Sequence, residues 1–381
     1  MNLAYKDIRH TFGKFIVTAM GVRMLLGIVL IMIGVYRGMI VDAKVLLEDI
    51  GADLWVVQED TLGPFAESSR IHEDLKDSVR NIDGVRRAEA LTFQNIQIHL
   101  PQKAVRVVAV GYDPFGTISP LNEARLTEGR PLKQDHYELV ASDNIGLTLH
   151  QRITLGRDTY TVVGLTHGTV SSGGDPLIYI SLKDAQVLQF SYSNERIRSD
   201  RARGIKDAET MPMANAVVAD VEAKAQTDAV ASHIRRSLHK SVYTAKEQET
   251  ILTKNLIERA SKQIGLFTAI LVVVSTIIIA LIIYTMTLEK MKEISIMKLI
   301  GLPNSLIMKM IVQETLLLGL LAFIFGNFFA HLIYDKFPKR VVLLLPDAWT
   351  LFGVVILASV LASLIGIKKV ISADPRAAIG G

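Results

Sequence analysis

The sequence contains no cysteine, so disulfide bonds and thiolate chemistry are both excluded. It also lacks a G-x-x-x-x-G-K-[ST] motif, which would cradle nucleotide phosphates, and a G-x-S-x-G elbow, which would present a nucleophilic serine. The nine histidines are scattered, and no H-E-x-x-H pair occurs. His233 and His239 lie on different faces of any helix that contains both. The sequence therefore predicts no catalytic, cofactor or metal site.

The sequence also has little excess of one charge sign over the other. The net charge is only +4 over 381 residues, which excludes a broad nucleic-acid surface. Half of the residues are hydrophobic, yet 21% are charged. Both figures are explained if apolar stretches at the two ends flank a polar block. That block, residues 41–263, is large enough to hold a core of its own.

Apolar runs are what the sequence does have, and four of them reach the roughly 20 residues that cross a bilayer. The predicted spans are residues 16–40, 264–288, 310–334 and 348–367. The first contains Arg23, which lies close enough to the start of the span for its side chain to reach the headgroups. Its apolar run is too long for a cleaved signal peptide, and no small-residue cleavage site follows it.

Basic residues cluster before the first span, between the second and third, and after the fourth, where they suit anionic lipid headgroups. They are Lys6, Arg9 and Lys14, then Lys290, Lys292, Lys298 and Lys309, then Lys368, Lys369 and Arg376. An even number of spans puts all three groups on one side, which is predicted to be the cytoplasm. The block 41–263 and the short loop 335–347 then lie outside, although that loop carries three basic residues of its own.

The outer block shows an α+β pattern. Short runs such as "ADLWVVQ" and "PLIYISL" predict strands, and "TDAVASHIRRSLHK" predicts an amphipathic helix. Closely spaced strand signals predict a β-rich subdomain near 123–182. Segments 41–50 and 241–263 contain no break signal, so they are predicted to continue the first and second spans as stalk helices. Ordinary surface helices are the alternative.

The cytoplasmic segment 289–309 begins as a helix with both charge signs and stops at "GLP". Its charged side chains would face water, while apolar ones could be buried in a groove of another protein. The apolar candidates are Ile294, Met297, Ile300 and Leu302. A helix lying on the lipid surface is the alternative interpretation of such a segment.

Polar residues at the start of the third span are a second candidate feature. Glu314, beside Gln313, is ionisable at a depth where a charge is costly unless it is paired or near the interface. It could hydrate or cap the start of the helix, or it could contact the segment 289–309 or a partner subunit. Gly27 and Gly34 in the first span could allow close helix packing.

These motifs resemble those of the MacB/FtsX/LolC-type ABC transporter permeases. That family has an E-R/K-x-x-E-I-(G)-I-x-(R/K)-x-(I/L)-G run followed by a Q-x-E or QE pair. The matching residues here are Glu289, Lys290, Glu293, Ile294, Ile296, Lys298, Gly301, Gln313 and Glu314, with Ser295 where glycine is common. The terminal D-P signature is matched by Asp374, Pro375, Ala378 and Ile379.

The resemblance covers essentially the whole chain. Residues 1–15 resemble the amphipathic N-terminal helix of the family, and "NIGLTLHQRITLGRDTYTVVGL" resembles its β-rich part, with His150–Gln151 where Gly-Asp is usual. The fold implied is an α/β membrane protein with four transmembrane helices. An α+β periplasmic domain like the MacB periplasmic core is inserted between helices 1 and 2. Residues 368–381 form a cytoplasmic tail.

The partners are likewise implied by the resemblance. The fused ATPase of MacB is missing, so ATP would be bound by a separate ABC ATPase subunit, and "GADLWVVQ" is similar to the DevC-like branch. A second permease copy would pair through spans one and two. The residues implied to couple to the ATPase are Glu289, Lys290, Glu293, Ile294, Ile296, Met297, Lys298, Ile300, Gly301 and Leu302.

The family's activities leave three possibilities for a multi-pass protein of the bacterial inner membrane. One is export of a lipid, peptide or drug, with a periplasmic adaptor and an outer-membrane channel. The others are lipoprotein or lipid extraction of the LolC/E type, and FtsX-like signalling to a cell-wall hydrolase without transport. A polytopic membrane enzyme is disfavoured because no catalytic cluster is evident.

Overall fold

The computed structural model describes residues 12–101, 103–192, 212–254, 258–337 and 339–371. Contacts within the chain divide it into a helical unit, Met1–Gly38 with Ala260–Gly381, and a sheet unit, Met39–Arg259. The C-terminal signature at Asp374, Pro375, Ala378 and Ile379 lies outside the described residues, as does most of the predicted N-terminal helix.

All strands of the described chain fall within residues 54–244, with three α-helices between them, and the described residues outside that range are mostly helical. The helices are α1 (Phe12–Ile50), α2 (Leu75–Arg80), α3 (Leu182–Tyr192), α4 (Thr227–Leu238), α5 (Ala245–Leu252), α6 (Glu258–Glu289), α7 (Met291–Leu299), α8 (Asn304–Ile333) and α9 (Leu345–Ile371). The strands are β1 (Leu54–Val57), β2 (Ile71–His72), β3 (Val85–His99), β4 (Ala104–Tyr112), β5 (Leu126–Gly129), β6 (Glu138–Ser142), β7 (Arg152–Leu155), β8 (Asp158–Thr166), β9 (Leu177–Ser181), β10 (Met213–Ala214), β11 (Ala216–Val221) and β12 (Ser241–Thr244).

Within the described residues, four helices are long and apolar enough to cross a membrane. The candidate segments are Arg23–Ile50, Ala260–Glu289, Asn304–Lys336 and Leu345–Leu364, and each overlaps one predicted span. Helix α1 runs on through residues 41–50, as predicted, because no helix-breaking residue occurs before Gly51. Gly51 ends the helix with a positive φ of 62°, and its N–H donates to the carbonyl of Leu47.

The prediction of one helix over 241–263 is wrong at its start. Residues Ser241–Thr244 form strand β12, which pairs antiparallel with β1. Helix α5 begins only after Thr244, whose hydroxyl accepts from the N–H of Glu247 while the Glu247 carboxylate accepts from the N–H of Thr244. This capping box was visible in the sequence as T-x-x-E. Residues 255–257 of the predicted helix lie outside the described part of the chain.

One ten-stranded sheet organises the sheet unit. Its order is β12-β1-β11-β3-β4-β9-β6-β8-β5, with β7 paired to β8. The predicted β-rich subdomain corresponds to β5–β9, but these strands continue the central sheet because β9 pairs parallel with β4. We call β5–β9 the β-rich half. The two short strands β2 and β10 pair separately.

Both faces of the sheet are covered, as the alternation along β1 shows. Leu54 and Val56 face one core cluster, which also contains residues of α2 and α4. Trp55 and Val57 face the other cluster, which also contains the last turns of α1 and Leu252 of α5. The first stalk segment is therefore built into the core of the sheet unit, and the second contributes at least one side chain to it.

Candidate coupling site

Helix α7 is shorter than the predicted segment 289–309, and the chain stops it with a defined cap. Gly301 has a φ of +93°, its N–H donates to the carbonyl of Lys298 at 3.0 Å, and the N–H of Leu302 donates to that of Met297 at 3.0 Å. These two bonds form a Schellman motif, which terminates a helix through a glycine in the left-handed region. Pro303 is extended, and α8 begins directly after it. "GLP" therefore fixes the turn between α7 and α8.

Substitutions at Gly301 test whether this cap forms the turn. A Cβ at this position would meet nothing within 4 Å, so any cost of substitution is conformational rather than steric. We expect Gly301→Ala to destabilise the protein by about 1–2 kcal/mol, because a residue with a Cβ is strained in the left-handed region. Gly301→Asn should cost clearly less, because asparagine tolerates this conformation. Thermal melts of the two purified variants measure the difference, and equal losses would contradict the assignment.

The side chains of α7 divide between buried and exposed positions. Ile294 is only 1% exposed within the chain itself, so the prediction that it is available to a partner is wrong. Ile296, Leu299 and Ile300 are 50%, 50% and 73% exposed. Their spacing of i, i+3 and i+4 places them on one helical face. We call these three residues the α7 apolar face; Leu299 was missed in the sequence, although its spacing from Ile296 was the signal.

The predicted charged residues of this segment differ in how far they are buried. Glu289, Lys292 and Glu293 are exposed, and Lys298 is half-buried like Met297 and Leu302. Lys290 is different, because it is buried and not on a water-facing side as predicted.

A buried ion pair joins Lys290 to α8. The Lys290 Nζ lies 3.1 Å from Glu314 Oε1, and both side chains are 11% exposed. Of the alternatives for Glu314, contact with the segment 289–309 is therefore confirmed. Gln313, beside it, is half-buried. This pair connects the end of the second candidate span to the third.

Close backbone packing marks α1 in the helical unit. A Cβ on Gly27 would lie 2.8 Å from the Phe329 side chain and 3.1 Å from the Gly326 carbonyl oxygen, so the predicted close packing at Gly27 is confirmed. Arg23, one turn earlier, is half-buried, and its Nε is buried without a hydrogen-bond partner among the described residues.

Further along α1, the loop between α8 and α9 packs against Gly34 and Gly38. The Gly34 carbonyl accepts from the N–H of Val342 at 3.0 Å, and a Cβ on Gly38 would lie 1.8 Å from the Arg340 carbonyl oxygen. The G-x-x-x-G spacing of Gly34 and Gly38 was the signal in the sequence that could have predicted this contact.

An ion pair that was not predicted lies beside the same loop. Arg37 of α1 donates through Nε and through an Nη to the two carboxylate oxygens of Asp347, at 3.0 and 2.9 Å. Such a two-bond pair fixes orientation as well as distance. Asp347 is in the first turn of α9, where a carboxylate is also favoured by the helix dipole.

Comparisons with known proteins match both units. The family model of the MacB-like periplasmic core domain matches residues 15–237, and that of the FtsX-like permease C-terminal domain matches residues 265–375. Two uncharacterized ABC transporter permeases of Mycobacterium tuberculosis are each 24% identical, with 99% of this chain and 99% of each relative aligned. A protein named as a hemin transport system permease, HrtB of Staphylococcus haemolyticus, is 22% identical over 100% of this chain and 99% of its own.

Two solved structures are also similar. One is the extracellular domain of the ABC-type transporter YknZ from Gram-positive bacteria, with a TM-score of 0.33 and 11% identity over 51% of this chain and 98% of that one. The other is the periplasmic region of MacB from Actinobacillus actinomycetemcomitans, with a TM-score of 0.35 and 9% identity over 52% of this chain and 92% of that one.

Proposed function

Because this chain belongs to the ABC transporter permeases that have a MacB-like periplasmic core and an FtsX-like C-terminal domain, we propose that it relays the work of a separate ATPase across the membrane. In this proposal the ATPase subunit binds and hydrolyses ATP in the cytoplasm. The permease itself binds no nucleotide. Its sheet unit lies outside and changes conformation when the ATPase does.

The observation that carries the proposal is the α7 apolar face. Three large aliphatic side chains, two on a nine-residue helix and one on its C-cap residue, are at least half exposed between two candidate membrane spans. A short amphipathic helix that presents anchors at i, i+3 and i+4 suits a hydrophobic groove on another protein. Covering such a face would remove apolar area from water and stabilise a complex.

Charge favours a protein groove over the lipid surface. Helices that lie on anionic membranes are rich in lysine and arginine on their polar face. Around the α7 apolar face, two glutamates balance two lysines that are not buried, namely Glu289, Glu293, Lys292 and Lys298. Even with the exposed Lys309 of α8 counted, the excess is a single positive charge, far less than on the basic polar face of a membrane-surface helix.

The docking proposal is tested by adding charge to the α7 apolar face. We expect Ile296→Glu with Ile300→Glu to weaken ATPase binding at least tenfold, because burying one isoleucine contributes about 1.5–3 kcal/mol and tenfold affinity is about 1.4 kcal/mol. The measurement is co-purification of the ATPase with the full-length permease from membranes. Phe115→Glu is the matched control, because Phe115 of the sheet unit is 71% exposed, close to the 73% of Ile300. Full retention of the ATPase by the double variant would refute the docking assignment.

We propose further that two permease copies pair within the membrane. Helix α6 supports this, because its candidate span is the least covered by its own chain. Leu266, Ile270, Val273 and Ile277 are 48–62% exposed and recur every three or four residues, so they share one face of the helix. A second copy of this chain, or a close relative, would cover that face, with lipid around the remainder.

Export of a lipid, peptide or drug-like compound is the activity we propose, with a periplasmic adaptor and an outer-membrane channel as further partners. The name of the hemin transport relative favours transport over signalling. Lipoprotein or lipid extraction and FtsX-like signalling are the alternatives. The neighbouring genes distinguish them: an adaptor gene beside the ATPase gene supports export, and a peptidoglycan hydrolase gene supports signalling.

A further inference from the structure

The last turn of α1 contains a buried carboxylate whose position is unfavourable by itself. The Asp49 side chain is only 2% exposed, and it lies at the negative end of the helix dipole. The last turn of α1 contains no basic residue that would offset this charge. A carboxylate is kept buried at such a place only if groups elsewhere in the fold stabilise it.

Those groups come from the start of the β-rich half. Arg125 donates through Nε to Asp49 Oδ1 at 2.8 Å, and Asn122 donates through Nδ2 to the same oxygen at 3.2 Å. Asn122 also caps the short 3-10 turn that ends at Arg125, since its side chain accepts from the N–H of Ala124. The Arg125 carbonyl in turn accepts from the N–H of His167, at the end of β8. Asp49 is thereby bonded to the point where β5 begins.

The contacts around Asp49 are of two kinds, and they do different things. Leu46, Leu47 and Ile50 of α1 pack in the core cluster that contains Val140 and Val163 of the β-rich half. Such apolar contacts hold two elements together, but they are not directional. A charge-assisted hydrogen bond has a fixed length and direction. The ion pair is therefore a directional contact between α1 and the start of the β-rich half.

A second ion pair of α1 in the sheet unit does not reach the β-rich half. Lys44 of α1 pairs with Glu249 of α5, so it connects the two stalk helices to each other. Both of its side chains are at least one-third exposed, unlike that of Asp49. Among the ion pairs described for the sheet unit, the Asp49–Arg125 pair is thus the one that joins α1 to the β-rich half.

We infer that Asp49 and Arg125 are positioning residues that make the β-rich half follow movements of α1. Helix α1 is uninterrupted from Phe12 to Ile50, so a displacement of its part inside the membrane is carried along the helix to Asp49. The ion pair then passes the displacement to the start of β5. This inference rests on the proposed function, which supplies the ATP-driven movement.

The sequence contains no cysteine, so two introduced cysteines are the only thiols of the permease that a spin label can modify. Spin labels are placed at Arg157, in the turn between β7 and β8, and at Ala229 on α4, both of which are exposed. The full-length permease is reconstituted with its ATPase, and the distance between the labels is measured without nucleotide and with ATP plus vanadate. We expect a nucleotide-dependent shift in the wild-type background and loss of that shift in Asp49→Asn.

Two further variants make the result specific. Asp49→Leu with Arg125→Met removes both charges and leaves no buried charge without its partner, so it is expected to fold and also to lose the shift. Asp135→Asn is the control, because it breaks an ion pair with Lys183 that is more exposed and involves no residue of α1. It should keep the full shift.

The outcomes separate the inference from the proposed function. If the ATPase binds and hydrolyses ATP but the folded Asp49 variants shift like wild type, the inference is overturned and the docking proposal stands. The inference is also overturned if wild type shows no shift with the ATPase bound. If the ATPase does not bind the wild-type permease at all, the proposed function fails, and this inference fails with it.

Discussion

Glu314→Leu is expected to destabilise the protein by about 3–5 kcal/mol, since removing one partner of a buried ion pair leaves the other charge in a poorly solvated site. The Glu314 carboxylate lies 3.1 Å from the Lys290 ammonium, and both side chains are 11% exposed. Water therefore cannot replace the lost carboxylate without opening the contact between the start of α7 and α8. The free energy of unfolding of the detergent-solubilised permease measures the effect.

The same physics predicts that removing both charges is far less harmful. Lys290→Met with Glu314→Leu replaces the pair by apolar side chains of similar size, a change that is often neutral or stabilising. We expect the double variant to recover most of the stability lost in Glu314→Leu. With Lys290→Met measured as the second single variant, the difference from additivity gives the coupling energy between the two side chains. A double variant as unstable as the single one would show that the ion pair is not the cause.

A control separates the pair from charge in general. Lys309 is exposed at the start of α8, so Lys309→Met should change stability by less than about 0.5 kcal/mol. The double variant also has a functional use, because it leaves Ile296, Leu299 and Ile300 unchanged. If the ATPase still binds it but hydrolysis no longer drives movement outside, the ion pair is needed for coupling rather than for docking.

Some features of this molecule were legible in the sequence because they depend on local pattern. The four spans follow from hydrophobic runs, and the end of α7 follows from the glycine and proline of "GLP". Ile300 was predicted from the same local pattern to be available to a partner, and its side chain is 73% exposed. Glu314 was recognisable as costly from its place in an apolar run, although capping or hydration of the helix start was the favoured interpretation and its bond to Lys290 was not.

Other features depend on contacts between distant parts of the chain. Strand β12 is four residues long and exists because β1 pairs with it, and β1 lies almost two hundred positions earlier. Ile294 fitted the pattern of a partner-binding residue, yet the chain's own helices bury it. Likewise, Asp49 looks like an ordinary end of a helix until Arg125 is placed beside it. A one-dimensional pattern shows which groups need partners, and the fold decides which partners they receive.

Gly38→Ala is expected to destabilise the protein by about 3 kcal/mol, the upper end of the usual cost of overpacking. The added Cβ would lie 1.8 Å from the carbonyl oxygen and 2.7 Å from the carbonyl carbon of Arg340. These are backbone atoms, so the clash cannot be relieved by turning a flexible side chain. The loop between α8 and α9 would have to move away from α1, which also strains the neighbouring pair of Arg37 and Asp347.

The direction of the change in unfolding free energy distinguishes this clash from the ordinary effect of the substitution. In a helix interior, glycine to alanine ordinarily stabilises by about 0.5–1 kcal/mol. Gly353→Ala on α9 is the matched control, because a Cβ there would meet nothing within 4 Å, and it should follow the ordinary rule. The two substitutions are chemically identical, so opposite changes in unfolding free energy can come only from their surroundings. If Gly38→Ala stabilised the protein as Gly353→Ala does, the backbone of Arg340 could not lie against α1 at this glycine, and the packing of this loop on α1 would be refuted.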